Sequence, residues 1–288
     1  MKKIVIGVPV YNGSDYIYDA LKSIQRQTFK DFLVLISDNC SNDNTQEICN
    51  EIVSNDRRFI YTRQDKNIGA FANFDYLLSQ ANAEYFMFLG HDDEISENFL
   101  EVCVDYLDSN PDTSITSGIP LYYDKKYLKY TGVSHNHAQN NAGSRLVDYY
   151  YRVKDNGIFY GLIRMAMLND ENFHEGVGSD HFWIAGIIAK GKTKVHKKCH
   201  VQRQLGIASS QHASSISTIL IIRQANSYVS EVFLIMVKML RVNMINLGSL
   251  ISVMIIIMFR MYIKRLFGIK QFQLRAFVKN FLKLSSSN

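Results

Sequence analysis

Tyr85-Phe86-Met87-Phe88-Leu89-Gly90-His91-Asp92-Asp93 is a continuous apolar run that stops at a glycine, a histidine and two adjacent carboxylates. Five apolar residues without polar alternation suit a strand buried on both faces, and such strands belong to parallel sheets with helices on each side. The residues before it repeat the pattern. Lys3–Val10 is a β-branched run with Pro9 near its end, and Phe32–Ser37 and Phe59–Arg63 read as further strands. Between them lie helical segments: one capped by Ser14 or Asp15 and running to about Gln27, with Ile17, Leu21 and Ile24 on one face, then Thr45–Val53 and Phe71–Gln80. The expectation is an α/β fold with a mostly parallel, Rossmann-like sheet flanked by helices. Ligands of such sheets bind beyond the carboxyl ends of the strands. Tyr11-Asn12-Gly13, Asp38-Asn39 and His91-Asp92-Asp93 all fall there.

After Pro111 the alternation fades. Ser134–Gly143 reads as a polar loop, Ile158–Arg164 as a strand, Asp180–Ala189 as a helix and Thr193–Leu205 as a strand pair. Beyond Ser210 the composition shifts to apolar helices, which divides the chain into a body of residues 1–215 and a helical extension of residues 216–288. At 288 residues and 47% hydrophobic content, one large domain with an appendage is expected and wholesale disorder is excluded. Cys40, Cys49, Cys103 and Cys199 lack zinc-site or disulfide-framework spacing and read as thiols in a reducing compartment. The start, MKKIVIGVPVYNG, lacks the apolar core and small-residue cleavage site of a signal peptide and reads as the first strand.

The net charge of +5 conceals an asymmetry. Residues 232–288 hold nine basic and no acidic side chains, leaving 23 basic against 27 acidic residues in 1–231, a net −4. A slightly acidic body argues against nucleic acid as a partner, and an all-basic apolar tail points to an anionic membrane surface.

The carboxylates carry the chemistry. A buried strand that delivers Asp92 and Asp93 to its end offers oxygen ligands to Mn²⁺ or Mg²⁺, whose remaining shell can come from a diphosphate. The alternative, capping of the next helix, is better served by Ser96, just before the helix expected from Glu97. Asp38 also ends a strand. It can accept a hydrogen bond from the imide of a base, or close the following turn. In Pro9-Val10-Tyr11-Asn12-Gly13 the Asn-Gly pair permits positive φ and lets backbone amides approach a ligand, and Tyr11 can stack on a flat base.

PVYNG, then YIYDALKSIQRQTFKDFLVLISDNCSNDNT and NIGAFANFDYLLSQANAEYFMFLGHDDEISENFL, resemble the family 2 glycosyltransferases of GT-A fold over roughly residues 3–110. Weaker echoes follow at Phe159–Arg164, Gly178-Ser179-Asp180 and Gln202–His212. The resemblance implies an inverting transfer of one sugar from a nucleotide-diphosphate sugar, usually UDP-linked. Pro9, Tyr11 and Asn12 would line the nucleoside pocket, Asp38 would hold the base, and Asn67 and Gly69 would form the pocket wall. Asp93 would be the direct metal ligand, with Asp92 near the ribose or diphosphate. Asp180 would be the general base. From their positions one and three residues after it, His181 and Trp183 read as acceptor-site residues. Arg164 would enter the donor cleft, and His212 would approach the diphosphate or metal.

Two departures from the family pattern matter. His91 replaces the first carboxylate of the family's DxD element, and Gln202-Arg203-Gln204-Leu205 lacks the tryptophan of processive synthases, which implies addition of one sugar. On the residues alone, Asp180 opens a helix, where the dipole lowers its basicity unless burial restores it. Arg164 could equally be a strand end reaching solvent, and Trp183 a core residue. His135 and His137 read as solvated loop side chains.

In the tail, Val242–Phe259 is 18 uncharged residues, about 27 Å as a helix and short for a membrane span. Arg275, Lys279 and Lys283 interleave with Leu274, Phe277, Val278 and Phe281, the pattern of an in-plane amphipathic anchor. Packing of these helices on the body, or against a second copy in a homodimer, is the alternative. The whole reads as a transferase at the inner face of the cell membrane, acting on a lipid-linked or oligosaccharide acceptor. A catalytically idle nucleotide-sugar scaffold and a sugar nucleotidyltransferase are the competing readings. The second would want an early glycine-rich phosphate loop, which the sequence lacks.

Overall fold

The computed structural model describes residues 2–153, 156–168 and 179–205, with the isolated positions 248 and 251. The expected boundary at residue 215, the anchor segment and His212 lie outside the described residues. Among the described residues no helix is long and apolar enough to cross a membrane.

The first half of the body follows the periodicity closely. Strands β1 (Ile4–Val10), β2 (Phe32–Asp38), β3 (Phe59–Arg63) and β4 (Tyr85–Phe88) alternate with helices α1 (Ile17–Gln25), α2 (Thr45–Asn55) and α3 (Ala70–Gln80). The four strands pair in parallel in the order β3-β2-β1-β4. Every residue of β1 and β4 is buried, as expected of strands covered on both faces. Helix α1 presents Ile17, Ala20, Leu21 and Ile24 to this core at the spacing of one helical face.

The second half is mixed. It comprises β5 (Glu94–Ile95), α4 (Phe99–Ser109), β6 (Thr113–Asp124), β7 (Tyr127–Thr131), α5 (Ala142–Arg152), β8 (Leu162–Arg164), α6 (Ser179–Lys190) and β9 (Lys192–Gln204). The sheet continues from β4 as β8-β6-β9-β5, with β7 hydrogen-bonded to β6. Strand β8 is antiparallel to β4 and β6, β9 is parallel to β6, and β5 is antiparallel to β9. The expected α/β fold is therefore present, with parallel pairing through β3-β2-β1-β4 and again in β6-β9, and antiparallel pairing at β8, β7 and β5. Two residues join β6 to β7, and a connection that short can only make a hairpin, whereas parallel strands need a long crossover.

Local expectations are corrected in several places. Helix α1 starts at Ile17 after Tyr16, without a side-chain cap from Ser14 or Asp15. Helix α4 starts at Phe99, and Ser96 does not cap it. The Ser96 hydroxyl donates to Asn98 Oδ1 and accepts from the His200 amide. The 158–164 segment is a 3₁₀ turn over Gly157–Tyr160 followed by β8. The pair expected over 193–205 is a single strand whose register on β6 slips between Gly118 and Ile119. A Cβ on Gly118 would lie 2.6 Å from the Cys199 carbonyl, so only glycine permits that close approach.

His137 is not solvated. It is buried, its Nδ1 lies 2.8 Å from Asp148 Oδ2 on α5, and its amide donates to Thr193 Oγ1. The polar loop is thereby tied to two elements that sequence alone does not place beside it. All four cysteines are free, and three are buried.

Phe88 anchors the junction of the two halves. Its ring meets Phe86 at 4.6 Å and Phe74 at 4.8 Å edge-on, stacks on Phe159 at 6.2 Å and touches Trp183 at 5.6 Å. Phe88→Ala leaves a cavity among four aromatic rings and is expected to cost about 3–5 kcal/mol, read from the midpoint of urea unfolding.

Candidate active site

Parallel register aligns the strand ends into one rim. Val10 pairs with Asp38, Asp38 with Arg63, and Gly7 with Phe88, so the chain leaves β1, β2, β3 and β4 at the same edge. The clusters at residues 11–13, 38–39 and 91–93 thus come together there.

The loops of this rim are stitched by polar side chains. Asn12 has φ of 51°, and its amide donates to Ser41 Oγ while its Oδ1 accepts from the Asn42 amide. The Gly13 amide donates to Thr45 Oγ1 and the Ser14 amide to Asp43 Oδ2. The expectation that these amides face a ligand is corrected: they are spent on the neighbouring loop. Asp43 also accepts from the Thr45 amide and hydroxyl. Burial alone would raise its pKa, but the bonds from Thr45 and Ser14 hold it down at about 2.

Asp38 is fully buried. Its Oδ1 accepts from the Ser41 amide and hydroxyl, and its Oδ2 from Tyr61 Oη at 2.6 Å. Asp38 thus closes the following turn, with three of a carboxylate's roughly four acceptor sites taken. Asn39, also buried, bonds Asn67 Oδ1 and the Ile68 amide, which fixes the loop carrying exposed Asn67 and Gly69. Pro9 is buried in β1, while Tyr11 keeps 45% of its surface open. The His91 ring lies over Gly13, where a Cβ would meet it at 2.6 Å.

The acidic centre forms around Gly90. A Cβ there would lie 2.8 Å from Asp93 Oδ2, 2.9 Å from Asp92 Oδ1 and 3.0 Å from Tyr160 Oη, so these three oxygens converge on one point. Asp92 is half-buried and Asp93 is buried. Asp93 Oδ1 accepts from the Gln204 amide at 2.9 Å, its Oδ2 lies 3.9 Å from Arg203 Nε, and Tyr160 donates to it. Burial, then the Asp92 charge, pushes its pKa well above the carboxylate range, against the pull of Arg203. The Arg203 guanidinium sits between the Tyr160 and Tyr122 rings, at 4.8 and 5.4 Å.

Among the described residues no group of three or more His, Cys, Asp or Glu side chains converges as metal ligands. The oxygen-only set at Asp92 and Asp93 nevertheless fits Mn²⁺ or Mg²⁺, which accept two carboxylates when phosphates and water complete the shell. Crowding of the two carboxylates in a buried site is also what a divalent cation would relieve.

The family description "Glycosyl transferase family 2" matches residues 5–174, more than half of the chain. The chain belongs to glycosyl transferase family 2. This transferase is 28% identical over 122 residues to glycosyltransferase GlyG of Streptococcus pneumoniae serotype 4, covering 42% of this chain and 40% of that protein. It is 35% identical over 96 residues to the GalNAc(5)-diNAcBac-PP-undecaprenol beta-1,3-glucosyltransferase of Campylobacter jejuni subsp. jejuni serotype O:2, covering 33% of this chain and 31% of that protein. The matched stretches thus span less than half of these relatives. The crystal structure of S. aureus TarS 1-349 in complex with UDP-GlcNAc superimposes with a TM-score of 0.64 at 20% identity, over 83% of this chain and 66% of that one. At that identity the likeness establishes the GT-A fold and nothing finer.

Within the family 2 transferase, Asp180 joins the centre indirectly. Its Oδ2 accepts from Asn156 Nδ2 at 2.9 Å, and the Asn156 carbonyl lies 3.5 Å from Arg203 Nη1. Asn156 also binds the Tyr149 hydroxyl, which contacts His181 Nδ1 at 3.1 Å.

Two expectations are corrected. Arg164 pairs with Tyr85 at the opposite end of β4 and donates to the Leu107 carbonyl at 2.8 Å, so it closes the end of α4 and not the donor cleft. Trp183 is buried against Phe88 and Phe159, and so belongs to the core and not to an acceptor surface.

Sequence reasoning missed Asn156, Tyr160 and Arg203 individually, although Tyr160 and Arg203 stand in the weakly family-like segments. It also missed Tyr122, for which no local signal exists.

Asp43 offers a check on the loop stitching. Its folded pKa lies below the ordinary carboxyl value, so its contribution is fully present above pH ~4 and is lost as the pH falls through about 2. Melting curves should show that Asp43→Ala lowers the melting temperature at pH 6 and flattens the loss of stability between pH 4 and 2.

Proposed function

We propose that this family 2 glycosyltransferase moves a single sugar, with inversion, from a UDP-sugar to a hydroxyl of a lipid-linked or surface-polysaccharide acceptor. The observation that carries the reading is the convergence of Asp92, Asp93 and Tyr160 oxygens around Gly90, at the carboxyl edge of the parallel strands. A nucleotide diphosphate laid along that edge would meet exposed Tyr11, able to stack on the base, and the Asn67–Gly69 loop. Asp38, steadied by Ser41 and Tyr61, would hold the base through its remaining acceptor site. The UDP-GlcNAc named in the TarS complex and the glucosyltransferase activity of the Campylobacter relative support this donor class.

Mn²⁺ or Mg²⁺ held by Asp93 and Asp92 would neutralise charge on the departing diphosphate. This chain's own residues supply the rest. Arg203, fixed between two tyrosine rings, holds positive charge beside Asp93. Asp180, oriented by Asn156, would take the proton from the acceptor hydroxyl as it attacks the anomeric carbon. No nucleophile of the enzyme is needed for inversion. The basic apolar segment of residues 232–288 would bring the enzyme to an anionic membrane surface, where a lipid-borne acceptor resides.

Calorimetric titration of UDP, GDP, CDP and dTDP, with and without Mn²⁺, should give Mn²⁺-dependent binding of UDP that Asp93→Ala abolishes. Binding that ignores both metal and Asp93 would sink the donor assignment. Asp180→Asn should keep UDP affinity and lower sugar transfer by about 10²-fold or more, the usual worth of a general base. Full transfer activity in that variant would remove Asp180 from the base role. Co-sedimentation with phosphatidylglycerol vesicles, lost on truncation after residue 231, tests the membrane role.

A further inference from the structure

Among the described residues nine large apolar side chains are exposed, and five of them belong to one end of the β7-β6-β9 part of the sheet: Tyr127, Leu128, Tyr130, Val133 and Leu205. Four lie on or just beyond β7, and Leu205 follows β9, its amide donating to the Tyr123 carbonyl of β6. All five residues of β7 are exposed, so both faces of the outer strand meet solvent. β7 is thus an outer strand held by β6 alone, and an exposed aromatic on such a strand is free to meet a ligand.

The arm stands at the acidic centre. Strand β6 is antiparallel to β8, which is antiparallel to β4, so β6 and β4 run the same way and end at the same edge. Tyr123 is the register partner of Gln204, the residue whose amide holds Asp93. A side-chain path runs alongside. Tyr130 stacks on Tyr122 with centroids 4.5 Å apart and rings within 13° of parallel. The Tyr122 hydroxyl accepts from Arg203 Nη1 at 3.2 Å, and Arg203 Nε lies 3.9 Å from Asp93 Oδ2. Tyr122 is 7% exposed and Tyr130 46%, so the outer ring is open to solvent and backed by a buried one.

We propose that the β6–β7 arm is a saccharide-binding platform, on which a sugar ring of an oligosaccharide acceptor stacks against the open face of Tyr130. A pyranose has an apolar face of C–H groups and a rim of hydroxyls. A tyrosine, with an apolar ring and a wet hydroxyl, matches that division without desolvating the rim. The Tyr122 backing removes ring freedom before binding, which lowers the ordering cost. The continuity of the arm with Asp93 through Arg203 and Gln204 selects the acceptor over an unrelated partner, because a ring held there lies beside the transfer centre. The proposal rests on the glycosyltransferase reading and deepens it by assigning Tyr130 to hold a sugar ring of the acceptor.

The test uses the full chain saturated with UDP and Mn²⁺ and three probes: maltotetraose, chitotetraose and β-1,4-galactotetraose. Saturation-transfer NMR and calorimetry should detect at least one of them on the wild type. Tyr130→Ala should weaken it roughly threefold to tenfold. Tyr130→Phe, which keeps the ring face, should retain wild-type affinity, and both variants should melt as the wild type does. Three results overturn the platform: equal affinity in Tyr130→Ala, no probe bound by a UDP-competent wild type, or a self-associated wild type that Tyr130→Ala turns monomeric. Failure of the wild type to bind UDP strikes the donor reading instead. A Tyr130-dependent saccharide signal would then still stand for the platform.

Discussion

Asp93 is a carboxylate withdrawn from water, and the second half of the molecule is arranged around it. A buried charge without partners is costly, so the fold must bring donors and countercharge to it. They arrive from distant parts of the chain: Tyr160 from the 3₁₀ turn before β8, and Arg203 and the Gln204 amide from the end of β9. Those segments can meet Asp93 only if β8 lies against β4 and β9 returns to the same edge. The mixed order β4-β8-β6-β9-β5 provides both. The glycine at position 90 belongs to the same constraint, because any side chain there would occupy the space between the oxygens.

The rim at the carboxyl ends of β1, β2 and β3 is built differently. Its polar side chains are largely committed to one another: Asp38 to Ser41 and Tyr61, Asp43 to Ser14 and Thr45, Asn39 to the Asn67 loop. Such a network rigidifies loops that would otherwise be mobile, since each bond satisfies a backbone or side-chain group that burial would leave unpaired. Exposed Tyr11, Asn67 and Gly69 then stand on a fixed frame. Preorganisation of this kind lowers the ordering cost of binding any flexible ligand at that edge. The far side of the sheet differs: there β7 is an exposed outer strand on β6, which pairs on its other side with the Gln202–Gln204 end of β9.

How much of this is written locally depends on the range of the physical signal. Period and burial are short-range properties, so the four parallel strands, their three helices and the clustering of residues 11–13, 38–39 and 91–93 at one edge were legible before any coordinates. Asp92 and Asp93 stood out because two charges ending an apolar strand conflict with burial unless they have a use. Arg164 and Trp183 misled because a lone charge or ring in a family-like segment looks the same whether it turns to a cleft or to the core. Only the antiparallel pairing of β8 on β4 sends Arg164 to the far end of the sheet, and only the packing of α6 on Phe88 and Phe159 buries Trp183. His137 misled likewise, its polar neighbours concealing a buried contact with Asp148 on α5.

The sequence by itself determined the α/β class, the parallel half of the sheet, the acidic pair and the family, because these rest on residue type and on spacings within some thirty residues. The tertiary structure decided which distant groups complete the site. Asn156 reaches Asp180 from 24 residues away, Arg203 reaches Asp93 from 110, and Tyr122 meets Arg203 from 81. Such encounters follow from strand order and register, which are settled by how the whole set of apolar faces buries itself. No local stretch carries that information.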